Sequence, residues 1–297
     1  MKNFKIPMLL AAVGVLLIPS CSKDNSGNIS TKDVVAAQDE VYADALYQEV
    51  DNTVVASITT LNLSGFSNMN MKSTAHDSDD CMTVTIDHPD SVSFPKVATL
   101  DFGEGCTRIF KNDTITLKGQ IIVTITDHWF VTGSQHVITF NNFYINGVKL
   151  EGTRTITNKG LNDKNHFELG ILLTGGKVIF NETAFLTRES NHVREWISSH
   201  NPLNDTMLVT GSASGINIQG EQYERIITTP LVMIRCQDVN WRWVIIKGTI
   251  QITNSVTGVS TIDYTSTGCE GSVVLNKDGL HVNMPFRYKH HNHHHNQ

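Results

Sequence analysis

Val148-Lys149-Leu150-Glu151-Gly152-Thr153-Arg154-Thr155-Ile156-Thr157 decides the fold class. Its odd-numbered positions are all polar, the period-two pattern of a strand with one face on a core and the other in water. Phe167-Glu168-Leu169-Gly170-Ile171-Leu172-Leu173 repeats it in the opposite phase, with apolar residues at the odd positions. Turn dipeptides separate such runs. Asn146-Gly147 divides Phe143-Tyr144-Ile145 from Val148-Lys149-Leu150, and Asp278-Gly279 divides Val273-Val274-Leu275 from Leu280-His281-Val282. Asn-Gly and Asp-Gly tolerate the positive φ angles of a type I′ hairpin. Asn112-Asp113 and Gly175-Gly176 are expected to turn the chain as well. About a dozen short strands joined by tight turns predict antiparallel sheet, because parallel strands need long crossovers. The expected fold is mainly β, a large antiparallel sheet (a sandwich or a curved open sheet) over residues 81–288, with one N-terminal amphipathic helix.

That helix is expected over residues 31–62. Ser30 or Thr31 can cap it, and Asp33 in the first turn favours the N-terminal dipole. Val34, Val41, Ala45, Val50, Val54, Ile58 and Leu61 recur at imperfect helical intervals. Asp39, Glu40, Asp44, Glu49 and Asp51 are expected to form a solvated acidic face. Residues 64–80 have the composition of a loop.

The N-terminus carries a different signal. Lys2 and Lys5 precede the apolar stretch Met8–Ile18, which ends in Pro19-Ser20-Cys21. A charged start, a short apolar core and a small residue before the cut form a secretory leader. The cysteine after the small residue makes it resemble the lipobox of bacterial lipoproteins. That resemblance implies cleavage after residue 20, a diacylglyceryl group on the Cys21 sulfur, and acylation of the new amine. Each buried methylene contributes about 0.8 kcal/mol, so several acyl chains hold firmly where one does not. Residues 21–30, small and polar, are expected to form a flexible tether. Lys23-Asp24 resembles the short charged signals that send some Bacteroidota-type lipoproteins to the outer face of the outer membrane. The expected location is the cell envelope, lipid-anchored, at the outer membrane, with surface exposure as the finer expectation. No later stretch approaches the roughly 20 apolar residues of a membrane span.

Without residues 1–20 the chain has 21 basic and 29 acidic residues, a net charge near −8. An acidic protein has no long-range attraction for nucleic acid. With 40% apolar and 18% charged residues the chain is globular. Besides Cys21 there are four cysteines, Cys81, Cys106, Cys236 and Cys269. An even count in an exported chain suggests disulfides, and four allow three pairings. The local pairs, Cys81–Cys106 and Cys236–Cys269, would each stabilise by roughly 3–4 kcal/mol through loop closure. Free buried thiols are the alternative.

The chain echoes itself. Thr99-Leu100-Asp101-Phe102, leading to Cys106, is matched by Thr261-Ile262-Asp263-Tyr264, leading to Cys269. Glu151-Gly152-Thr153 through Thr157-Asn158 is matched by Lys247-Gly248-Thr249 through Thr253-Asn254. The motif order differs between the halves, so one hairpin type is used more than once. Asp101–Cys106, Lys118–Ile121, Asn146–Thr153, Thr210–Gly215 and Asp263–Cys269 together resemble a family of uncharacterised lipoproteins from Bacteroidota-type bacteria. The resemblance covers most of residues 81–288 and implies an exported β-rich lipoprotein with no assigned activity. Thr265-Ser266-Thr267 departs from the family's glycine-rich turn.

Residue patterns for catalysis are absent. Gly211-Ser212-Ala213-Ser214-Gly215 has alanine where a nucleophile elbow needs serine, so its glycines are expected to serve a turn or bulge. Asp77, Asp79 and Asp80, beside His76 and Cys81, lack the glycine and distal glutamate of a calcium loop. Asp101 and Asp263 are expected to bond a neighbouring turn amide. Trp129, Trp196, Trp241 and Trp243 are expected in the core, with Trp196 the best candidate for a surface ligand contact. The tail 289–297 holds His290, His291, His293, His294 and His295, which bind transition metals only loosely. The sequence thus predicts no cofactor and no enzyme. It predicts an envelope protein that binds or scaffolds, with envelope proteins or glycans as partners. A surface glycan-binding accessory protein is the alternative, and an envelope hydrolase a third class.

Overall fold

The computed structural model describes residues 29–60, 81–87, 93–110, 113–236, 242–266, 268–269 and 272–284. The leader with Cys21, the aspartates at 77–80, Trp241 and the histidine tail lie outside the described residues. Helix α1 spans Thr31–Thr60. Then come β1 (Thr83–Ile86), β2 (Lys96–Asp101), β3 (Cys106–Phe110), β4 (Asp113–Ile125), β5 (Gln135–Ile145), β6 (Val148–Leu161) and β7 (Phe167–Ile179). The second half holds β8 (Phe185–Ile197), β9 (Thr206–Ile216), β10 (Gln222–Cys236), β11 (Arg242–Asn254), β12 (Gly258–Thr265), β13 (Val273–Lys277) and β14 (Leu280–Met284). All belong to one open antiparallel sheet of 14 strands, and of the two expected architectures the sandwich is excluded. From β4 onward the order in space is the order in sequence; β3 and β2 share one flank of β4.

Most strands bury alternate residues on the same inner face. Val148, Leu150 and Ile156 of β6, Leu169, Ile171 and Leu173 of β7, and Ile250 and Ile252 of β11 are buried. The two hairpin dipeptides have the expected geometry: φ is 52° and 81° at Asn146-Gly147 and 51° and 79° at Asp278-Gly279. The echoed motifs are structurally equivalent. Leu100 and Ile262 point into the core, Phe102 and Tyr264 are buried, and both cysteines are bonded. The disulfides are the local pairs, Cys81–Cys106 and Cys236–Cys269.

Gly152 and Gly248 show why the second echo exists. Both have φ near 117° (116° and 117°), which side-chain-bearing residues rarely adopt. A Cβ on Gly152 would lie 2.8 Å from the Gly176 backbone, and one on Gly248 2.6 Å from the Pro230 carbonyl. Each sits where the register to the neighbouring strand shifts. Such bulges bend a strand and raise its twist, which lets a wide sheet curl. One sequence expectation is corrected here, and a second in part. Gly175-Gly176 is not a turn; it is a bulge inside β7, where the register to β8 jumps between Leu173 and Gly176. Gly211 and Gly215 lie inside β9 and not in a turn; both are in register with β8, but Gly211 sits where the register to β10 shifts, as a bulge glycine does, and only Gly215 lies away from any irregularity. They are small because the backbone of β8 is close: a Cβ on Gly215 would sit 1.9 Å from the Thr187 carbonyl oxygen.

The helix lies in the trough of the curled sheet. With 30 residues it is about 45 Å long. Its C-terminal part (Ala43, Leu46, Tyr47, Val50, Val54, Ile58) shares a core with β2–β8. Ala37 and Val41 share a second core with β9–β14. Only two residues apart on the helix, Tyr47 donates a hydrogen bond to the Glu151 carbonyl of β6 at 3.0 Å while Glu49 pairs with Arg242 of β11. β6 and β11 are five places apart in the sheet order, about 24 Å if the sheet were flat. Strands that far apart meet one helix because the sheet wraps it.

Candidate functional site

The most heavily built part of the molecule is the contact between helix and trough. Asp33, Glu40, Asp44 and Asp51 are spaced by 7, 4 and 7 residues, which places them on one stripe of α1. The expectation that the acidic side is solvated is overturned. Asp33, Asp39, Glu40, Glu49 and Asp51 are all buried. A helix enclosed by sheet has little wet face, so its acids need cations from the strands.

The strands supply arginines. Arg154 of β6 grips Asp51 with two bonds, Nε to Oδ1 at 2.6 Å and Nη2 to Oδ2 at 2.8 Å. Arg194 of β8 reaches the same Asp51 Oδ2 at 2.8 Å and donates to Gln48 Oε1 at 2.8 Å. Arg188 of β8 bridges Glu40 at 2.7 Å and Asp44 at 2.6 Å. Arg225 of β10 pairs with Asp44 from the other side, and Arg242 of β11 with Glu49. At the start of the helix Lys277 of β13 holds Asp33 at 2.6 Å, and Lys32 pairs with Glu221. Ser30 caps the helix as expected, its Oγ accepting from the Asp33 amide at 3.1 Å.

The electrostatics follow from this geometry. Burial alone would raise the Asp44 carboxyl, but Arg188 and Arg225 outweigh it and hold it at about 2. Burial likewise opposes ionisation of Asp51, and Arg154 and Arg194 outweigh it. His192 of β8 lies in the same cage. Burial, then the charge of Arg225, push its imidazole well below the usual histidine range, and its Nε2 has no hydrogen-bond partner among the described residues. The sequence signal for the clamp was present but weak. Arg154 and Arg225 occupy inward positions in strands whose other inward residues are mostly apolar, whereas Arg188 shares the inner face of β8 with Ser190 and His192.

At the end of the trough formed by the 126–134, 162–166 and 198–205 connections lies a row of aromatics. Trp129 stacks on His136 with ring centres 4.5 Å apart and touches Phe167 at 6.2 Å. Phe167 meets Trp196 edge-on at 6.4 Å, and Trp196 meets Trp243 the same way at 6.4 Å. Arg235 lies over Trp243, 4.7 Å from its centre. Trp129 is in the core as expected. Trp196 is half-buried, and its indole N–H donates to Asp205 Oδ2 at 2.9 Å. Apart from the Trp129–His136 stack, these rings meet at 55° to 83° and close this end of the core; they do not form a flat platform.

Asp101 and Asp263 are not brought together, since β2 and β12 lie on opposite flanks of the sheet. Asp101 accepts from the Gly103 turn amide at 2.8 Å, as expected. Asp263 instead accepts from Thr249 Oγ1 and Asn276 Nδ2 on the neighbouring strands. Among the described residues no group of three or more His, Cys, Asp or Glu side chains is placed to hold a metal ion. No family model, curated protein or solved structure matches the chain.

One measurement tests the clamp and a second tests the closed aromatic end. Asp51→Asn leaves Arg154 and Arg194 buried without their counter-charge and should cost about 3–5 kcal/mol in denaturant unfolding. A cost under 1 kcal/mol would mean that the arginines find other partners. The second test is pH. Burial pushes the His136 imidazole down to about 4, so it stays neutral in the folded chain while its unfolded counterpart titrates near 6.5. Below about pH 6.5 the unfolded chain takes up protons that the folded chain refuses, and stability falls. For His136 alone the loss approaches about 3 kcal/mol by pH 4. The loss of Asp44 pairing begins only below about pH 4. Unfolding curves at pH 7, 5.5 and 4.5 should show the first slope in the wild type and a shallower one in His136→Phe.

Proposed function

We propose that the protein is a lipid-anchored lipoprotein of the cell envelope, held at the outer membrane through Cys21, that acts by binding or scaffolding rather than by catalysis. The observation that carries this reading is the pair of disulfides, Cys81–Cys106 and Cys236–Cys269. Disulfides persist in oxidising compartments and are rare in the cytosol. They support the export that the leader before Cys21 predicts. The rest of the architecture suits a scaffold. One helix is fixed in a wide sheet by charge pairs and two apolar clusters, and the outward side chains of the described strands are largely half-buried to exposed and can meet a partner.

The glycan-binding alternative calls for aromatic rings laid flat on an accessible surface. Trp129 is buried, and Trp196 and Trp243 stand at 83° to each other. That arrangement favours the broader reading. Partners among envelope proteins suit it, and the acidic balance of the chain disfavours nucleic acid.

Metabolic labelling with a palmitate analogue tests the anchor. Wild-type protein should take up label and sediment with the envelope fraction, and Cys21→Ser should do neither. Equal labelling or equal sedimentation of the two forms would contradict the reading.

A further inference from the structure

The start of α1 fixes where a tether from Cys21 must enter the fold. Asp33 is held by Lys277, beside the 278–279 turn, and by a hydrogen bond from Thr257 in the 255–257 turn. Lys32 pairs with Glu221, at the end of the 217–221 turn. Glu221 also accepts from Asn254 Nδ2 at 3.0 Å, and the Ser255 amide donates to the Gln222 carbonyl at 2.9 Å. Three alternate turns therefore sit side by side around the helix start and form one pole of the molecule.

Stretch 21–28 contains eight residues and spans at most about 28 Å when extended. An acylated Cys21 thus keeps this pole within that distance of the bilayer. The pole is also apolar at its tips. Val256 is 66% exposed and Val259 53%, with Ile216 and Leu280 exposed at the strand ends beside the flanking turns. Ser255-Val256-Thr257-Gly258-Val259-Ser260 carries no charge, so this turn can enter a headgroup layer without desolvating an ion. β10 and β11, with 15 and 13 residues, run away from this pole. They place the aromatic end some 40 Å further out.

We infer that the pole formed by turns 217–221, 255–257 and 278–279 lies against the bilayer that holds the acylated Cys21, with Val256 and Val259 in the headgroup region. The inference rests on the lipid-anchor reading above. It sets the orientation of the protein: the 126–134 and 198–205 connections, with exposed Val131 and Leu203, face away from the membrane.

The full-length acylated protein in phosphatidylcholine vesicles tests this. Four cysteines are in disulfides and Cys21 is acylated, so an introduced cysteine is the thiol that an environment-sensitive NBD dye labels. Val256→Cys and Val131→Cys are both surface replacements. The dye at 256 should emit further to the blue and be quenched several-fold more by doxyl-labelled phosphatidylcholine than the dye at 131. Equal quenching at both positions, or stronger quenching at 131, in protein that floats with the vesicles would overturn the orientation and leave the anchor standing. Wild-type protein that does not float, or Cys21→Ser protein that floats equally well, would overturn the anchor and the orientation with it.

Discussion

Carboxylates of one helix facing arginines of the surrounding strands are the constraint on which the rest of this structure depends. Burying either partner alone is costly, and burying both is tolerable only when their geometry is good and their remaining hydrogen bonds are met. Arg154 meets Asp51 with two parallel bonds, the strongest form of the pair. Asp44 is shared by Arg188 and Arg225, which join β8 to β10 through the helix. An apolar trough alone would accept a helix of alanines and valines at several depths and rotations. Moving this helix by one turn would separate Asp44 and Asp51 from their arginines, at about 3–5 kcal/mol for each broken pair. The charges therefore select one register, and the apolar contacts stabilise it.

The sheet was legible because its signals are local. Alternation in β6 and β7, the Asn146-Gly147 and Asp278-Gly279 turns, and the two Asp-aromatic-Cys echoes each occupy a few residues whose geometry depends mainly on their neighbours. The nearest-neighbour disulfides follow from the same locality. Gly175-Gly176 misled because a bulge and a turn demand the same residue, and only the partner strand tells them apart.

The helix contact was not legible because its terms lie far apart in the chain. The arginines that satisfy Asp51 and Glu49 follow them by 103 and 193 residues. A helix with acids along one side is ordinarily half wet, and nothing within residues 31–60 says that sheet covers both sides. The inward arginines of β6 and β10 break the apolar alternation, and β8 carries a polar inner face of Arg188, Ser190 and His192; each marks a strand that needs an acid from elsewhere. Reading both together, helix acids in search of cations and strand cations in search of acids, would have paired them. The aromatic end followed the same logic in part: Trp129 went to the core, while Trp196 took an intermediate position because Asp205 claims its indole N–H.

Native-state amide hydrogen exchange of residues 43–54 tests the clamp most directly. If helix and sheet form one cooperative unit, these amides exchange only through global unfolding, with the same free energy as the most protected amides of β6–β8. Helix amides that exchange through an opening several kcal/mol cheaper, while the sheet stays protected, would show a helix that merely rests in the trough and would contradict the account.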